Sequence, residues 1–175
     1  MIITKIGLQE LVTKGYVKNR NRDVVVDVAS LCLHLDNMFT TYDPYNGESF
    51  IPPRTMPSTT KSIAPEDFYT LTPGGTVLAC TEEEVEIPND KFGFVQTKGS
   101  IARGFISVHM SDGQVDPGYK GRITLEIFNA SQFYYKLVPG MPIASLFFMQ
   151  TDSPVEQYNG RYQGSGSPTT MRSKP

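Results

Sequence analysis

At 175 residues, with 39% hydrophobic and 19% charged side chains and a formal net charge of -2, the chain has the size of one domain that buries a core without staples. The slight acidic excess and the scatter of its basic residues exclude the electrostatic footprint of a nucleic-acid or anionic-membrane binder, so neither partner is expected. Two cysteines, Cys32 and Cys80, each sit inside an apolar run, which suits reduced thiols rather than a disulfide framework.

The N-terminal residues lack a signal-peptide pattern and no apolar run approaches membrane-spanning length, so the sequence reads as a soluble cytoplasmic protein. Residues 4–15 predict one short helix: Ile6, Leu8, Leu11 and Val12 form a partial helical stripe, Thr4 is the candidate cap and Gly15 the stop. From Val24 onward short β-branched and aromatic runs alternate with turn residues, the texture of an all-β sandwich or barrel. The expected strands are 24–28, 30–35, 38–41, 68–71, 76–81, 85–87, 92–96, 107–109, 122–129, 134–137 and 143–150. Pro-Gly pairs at 73–74, 117–118 and 139–140 supply tight turns, and 13 prolines leave little room for long helices.

Residues 42–65 are rich in proline, serine and threonine and predict a surface loop. The stretch 160–175 is too rich in glycine and serine for a core element. It is either a disordered end or a flexible lid that orders over a ligand. The whole chain, 1–175, is expected to form a single domain.

The chemistry concentrates between Thr97 and Asn129. A small-residue loop lies between two cations (Lys98, Gly99, Ser100, Arg103), a turn carries Asp116, and the following strand carries Glu126. In that strand Ile123, Leu125 and Ile127 share one face, while Thr124, Glu126 and Phe128 share the other. Glu126 therefore faces either water or a pocket. Each feature alone has a bland reading: an exposed loop, a plain turn, a solvated glutamate, and, for His109, a satisfied structural histidine. No P-loop, dinucleotide fingerprint, Gly-x-Ser-x-Gly elbow or His-Glu-x-x-His is present. A zinc deaminase is excluded, since the cysteines are far apart and neither His34 nor His109 begins a His-x-Glu.

Read in order, Lys98-Gly99-Ser100-Ile101-Ala102-Arg103, Val108-His109, the run from Val115 through Asp116-Pro117-Gly118-Tyr119 to Glu126, and Asn129 resemble the central signature of the dCTP deaminase branch of the trimeric dUTPase-like superfamily. The resemblance continues upstream in Phe68 to Gly74 and Val85 to Pro88, and downstream in Leu137 to Ile143 and Arg161 to Gly164. It implies a mostly β, dUTPase-like distorted β-barrel or jelly roll with a short N-terminal helix, assembled as a homotrimer with shared active sites. It also implies a deoxynucleoside triphosphate substrate and hydrolysis of dCTP to dUTP and ammonia without a protein-bound metal, Mg2+ riding on the triphosphate.

By the same resemblance Glu126 is the general base, Ser100 and Arg103 hold the triphosphate with Arg103 also ordering the water, and Asp116 meets the sugar 3′-hydroxyl. Tyr119 lies under the deoxyribose, and Tyr158, Arg161, Tyr162 and Gln163 belong to the closing tail. Burial beside Phe128 is expected to raise the basicity of Glu126 towards neutrality. The chain departs from the signature at Lys98 for arginine, Gly99 for serine, Asp112 for a small residue near the pyrimidine, Ser165 for glutamine, and Cys32 for an upstream aspartate. The alternatives are a dUTP or dCTP pyrophosphatase using Asp116, alone or combined with deamination, and a non-catalytic nucleotide sensor.

Overall fold

The computed structural model describes residues 1–44, 46–49 and 51–173; residues 45, 50, 174 and 175, which belong to the expected loop and tail, lie outside the described residues. In chain order the elements are α1 (Lys5–Thr13), β1 (Val17–Lys18), β2 (Leu31–Tyr42), β3 (Ser58–Ser62), β4 (Tyr69–Leu71), β5 (Thr76–Glu86), β6 (Lys91–Thr97), α2 (Gly99–Ala102), β7 (Ile106–Ser107), β8 (Gln114–Val115), β9 (Lys120–Asn129), β10 (Tyr135–Leu137) and β11 (Pro142–Gln150). The principal sheet runs β7-β9-β5-β2-β11-β6-β8, with β3 added to β2 and β1 to β5, while β10 and β4 form a separate ribbon.

β2 turns the sheet. Its first residues, Leu31 to His34, pair with β11, whereas Leu35 to Thr40 pair with β5 across a register shift. One strand thus serves two parts of the sheet, and the bulge supplies the bend that curls it around a core. Leu33, Leu35, Phe39, Leu125, Ile127, Ile143, Leu146 and Phe148 fill that core, each almost wholly removed from water. α1 covers one part of it through Leu8 and Leu11, and Gly15 ends the turn at φ +80, a conformation that glycine adopts without strain. Among the described residues no helix is long and apolar enough to cross a membrane.

Several expected strands change. Segment 24–28 contributes only a Val26–Leu31 bridge, segments 30–35 and 38–41 are one strand, β2, and segments 76–81 and 85–87 are one strand, β5. The run Glu82-Glu83-Glu84 hid that continuity because charge usually marks a surface. Here Glu83 is fully buried: it accepts from the His34 backbone N–H at 2.8 Å and the Asn19 amide at 2.9 Å, and its Oε1 lies 2.8 Å from His34 Nδ1. Glu82 beside it is paired with Arg22 at 3.0 Å. These partners satisfy the carboxylates from within the chain. β3, inside the expected loop, is a polar edge strand with every residue exposed, held by pairing to β2.

The register of β9 decides which of its side chains leave the core. β5 and β9 shift register between Cys80 and Glu84, and Thr81 mends the gap by donating its hydroxyl to the Glu83 carbonyl at 2.8 Å and accepting the Ile123 N–H at 3.1 Å. Beyond this bulge Thr124 faces Cys80 and Glu126 faces Leu78 across the ladder. The burial of β9 then alternates as its sequence requires, with Ile123, Leu125 and Ile127 in the core and Thr124, Glu126 and Phe128 on the opposite face.

Candidate active site

A cavity of about 300 Å³ opens on that opposite face of β9. Its floor carries Thr124 and Glu126, and the segment between β7 and β9 forms a wall with His109, Asp112, Asp116 and Tyr119. The C-terminal segment forms the roof with Tyr158, Tyr162, Ser165, Thr169 and Met171.

Glu126 is half-buried and no described residue donates a hydrogen bond to its carboxylate. Burial, and then the charge of Asp112, push its pKa from 4.5 up to about 7. The carboxyl is thus poised to exchange a proton near neutral pH, which is what a general base needs.

The wall is positioned by β9 itself. His109 forms a parallel bridge with Glu126, and the turn after it closes through the Asp112 N–H donating to the His109 carbonyl at 2.7 Å. Gly113 permits the turn to pack against β6, since a Cβ there would stand 2.6 Å from the Val95 carbonyl oxygen. Among the described residues none hydrogen-bonds the buried His109 Nδ1, so the satisfied histidine expected from sequence is not found there. Tyr119 lies on the 116–119 turn; its hydroxyl donates to the Arg122 carbonyl at 2.6 Å, and its ring centroid is 6.0 Å from that of Tyr158. Burial, ahead of the neighbouring Tyr158, raises the Tyr119 pKa.

The described part of the tail runs along β9. Gln163 accepts the Lys120 N–H at 2.7 Å and donates to the Gly118 carbonyl at 2.9 Å, and the Arg122 N–H donates to the Ser165 carbonyl at 2.7 Å. Farther on, the Thr169 N–H donates to the Thr124 hydroxyl at 3.1 Å, inside the cavity. The close approach requires Gly121, at φ +146: a Cβ there would sit 2.7 Å from the Ser165 carbonyl oxygen.

Of the residues singled out from sequence, the cavity gathers Glu126, Asp112, Asp116, Tyr119, Tyr158 and Tyr162. Gln163 instead ties the tail to the backbone of residues 118–120, and Arg161 donates to the Arg172 carbonyl at 2.7 Å. Lys98, Gly99, Ser100 and Arg103 do not line this cavity. The expected loop is the short helix α2, with Arg103 donating back to the Gly99 carbonyl at 3.1 Å. Lys98 is paired with Asp27 at 3.3 Å; burial opposes its charge, Cys32 and Asp27 favour it, and its pKa rises on balance. Ser165, a departure from the signature within the expected lid, also lines the cavity, whereas Tyr42, Thr169 and Met171 were not singled out and no local spacing in the sequence announces them. Among the described residues no lysine or arginine lines the cavity.

The curled antiparallel sheet with a short leading helix and a pocket on the outer face of one long strand defines a dUTPase-like fold. The crystal structure of 2′-deoxycytidine 5′-triphosphate deaminase from Agrobacterium tumefaciens matches it with a TM-score of 0.65 at 20% identity, over 84% of this chain and 47% of that one. A dUTPase of Staphylococcus bacteriophage 80alpha matches with a TM-score of 0.51 at 13% identity, over 82% of this chain and 95% of that one. Residues 3–151 match the family model described as dCTP deaminase-like. A "dCTP deaminase, dUMP-forming" of Kocuria rhizophila is 32% identical over 182 residues, covering 99% of this chain and 95% of its own. The chain belongs to the dCTP deaminase-like family.

Proposed function

We propose that the protein hydrolyses dCTP at C4 of the base and then at the α-phosphate, so that ammonia, diphosphate and dUMP leave. The observation that carries this reading is the Glu126 carboxyl, held in the cavity with its pKa pushed up to about 7. Sequence alone favoured dUTP as the product; the dUMP-forming relative moves the reading to the combined deaminase and diphosphatase.

Glu126 takes a proton from water as the oxygen bonds to C4, and passes it to N3 of the ring. The C4 hydroxyl then gives its proton, again through Glu126, to the amino nitrogen; the C4–N bond breaks and ammonia departs. Asp116 subsequently aims a second water at the α-phosphorus and takes its proton; the new P–O bond forms as the bond from the α-phosphorus to the α,β-bridging oxygen breaks, and diphosphate leaves with the electron pair. Tyr119 packs against the deoxyribose. The triphosphate enters as its magnesium complex, the cation belonging to the substrate.

A cavity that among the described residues has three carboxylates and no cation is poorly suited to hold a triphosphate by itself. The Lys98, Ser100 and Arg103 groups lie elsewhere on the same chain, so we place them in the site of a neighbouring copy within a homotrimer. Arg103 and Ser100 of that neighbour bind the phosphates, with Lys98 and Gly99 shaping the same loop. The tail, through Tyr158, Arg161, Tyr162 and Gln163, closes over the bound nucleotide.

The test is incubation with magnesium and dCTP, with ammonia, diphosphate and nucleotide measured independently. Equal yields of ammonia, diphosphate and dUMP are expected. Tight binding of dCTP without ammonia would instead make the protein a nucleotide sensor.

A further inference from the structure

We propose that Asp112 reads the 4-amino group of the base and is the residue that separates substrate cytosine from product uracil; this rests on the reaction proposed above. Three carboxylates, those of Asp112, Asp116 and Glu126, line one cavity that, among the described residues, no lysine or arginine lines. Among the described residues none of the three side chains accepts a hydrogen bond or joins an ion pair. An ionised carboxylate only accepts, so an occupant that displaces water from these groups must bring the donors. A deoxycytidine nucleotide with its attacking water offers three: the water, a sugar hydroxyl and the amino group on C4.

Position distributes them. Glu126 works on the water. Asp116 stands on the same turn as Tyr119, at the sugar end, and receives the hydroxyl. Asp112 belongs to the turn closed on His109, and His109 is bridged to Glu126, so Asp112 is held at the end of the cavity where C4 reacts. Its influence on the Glu126 proton agrees with that proximity.

The consequence is chemical discrimination. An amino group on C4 donates to the Asp112 carboxylate, whereas a uracil O4 sets acceptor against acceptor and leaves both unpaired. As the amino nitrogen gains its proton before leaving, the carboxylate also faces a developing positive charge; Asp112 itself forms no bond and exchanges no proton. When O4 has replaced the amino group, the attraction becomes repulsion and the deaminated base is loosened from this end of the site.

The experiment measures binding of magnesium α,β-imido-dCTP and α,β-imido-dUTP by calorimetry in the Glu126→Gln background, where deamination is stopped. With Asp112 intact the cytosine analogue should bind at least about tenfold more tightly. Asp112→Ala should bring the two within about threefold, and Asp112→Asn should do the same because its amide can turn an N–H towards O4. Asp112 lies on an exposed turn, so both variants should keep the parent's melting temperature. An unchanged ratio in both variants, or no preference with Asp112 intact, would overturn the proposal. Ammonia release from dCTP by the unaltered protein reports the reaction separately: its absence sinks the deaminase reading, while its presence with an unchanged ratio sinks the role of Asp112 alone.

Discussion

Replacing Glu126 by glutamine keeps the shape of the side chain and removes both its proton chemistry and its charge. With a pKa of about 7, the unaltered carboxyl is about half ionised at pH 7 and only about one-tenth ionised at pH 6. Ammonia release should therefore fall about tenfold per pH unit on the acid side, with its inflection near pH 7. Glu126→Gln should lower that release by about 10²- to 10⁴-fold, the usual contribution of a positioned base.

Stability should move the other way. The folded-state pKa is raised, so both folded and unfolded chains hold the proton below about pH 4.5 and the native state carries no penalty there. Between 4.5 and about 7 the unfolded chain ionises first, and above 7 the native state bears the whole cost. That cost has a ceiling of about 3 kcal/mol, reduced to about 1–2 kcal/mol because the group is partly exposed and screened by solvent. Glu126→Gln should thus raise the melting temperature at pH 8 and leave it nearly unchanged at pH 4.5. Equal thermal shifts at both pH values, or a variant that keeps a tenth or more of the ammonia release, would refute the reasoning.

Asp116→Asn should lower diphosphate release by about a hundredfold while ammonia release stays within about tenfold, so that dUTP accumulates on chromatography. Equal loss of both products would count against separate roles for Asp116 and Glu126. Glu126→Gln and Arg103→Ala, each inactive alone, should regain about a quarter of the unaltered activity when refolded together in equal amounts, because a shared site then combines the intact halves of two copies. No recovery would place both residues in a site made by one chain. Gly121→Ala, which puts a Cβ against the Ser165 carbonyl at a backbone angle that alanine resists, should destabilise the fold by about 1–3 kcal/mol and raise KM. A KM that does not move would remove the tail from nucleotide binding.

Much of the site was legible because β9 obeys the period of a strand: the alternation of Ile123, Leu125 and Ile127 with Thr124 and Glu126 survives intact in the structure. The ordered signature from Asp116 to Glu126 carried the family. Two strands were broken in the reading for opposite reasons. β2 crosses a bulge that interrupts its apolar pattern, and β5 buries a charged run whose partners, His34 and Asn19, are far away in sequence. β3 carries no apolar signal because every residue in it is exposed. The separation of residues 98–103 from the Glu126 cavity is a fact of three dimensions that adjacency in the sequence conceals. The orphaned His109 nitrogen was equally hidden, since a histidine in a strand-like run looks the same with or without a partner.

β9 gives one series of side chains to the hydrophobic interior and the interleaved series to the cavity. Inserting or deleting a single residue between Ile123 and Ile127 would exchange the two series, driving a carboxylate into the oily interior while an isoleucine took its place in the cavity. A connecting loop tolerates added residues at small entropic cost, but this stretch has to keep its residue count. Point substitutions can retune the chemistry here, whereas a frame slip would end folding and catalysis together.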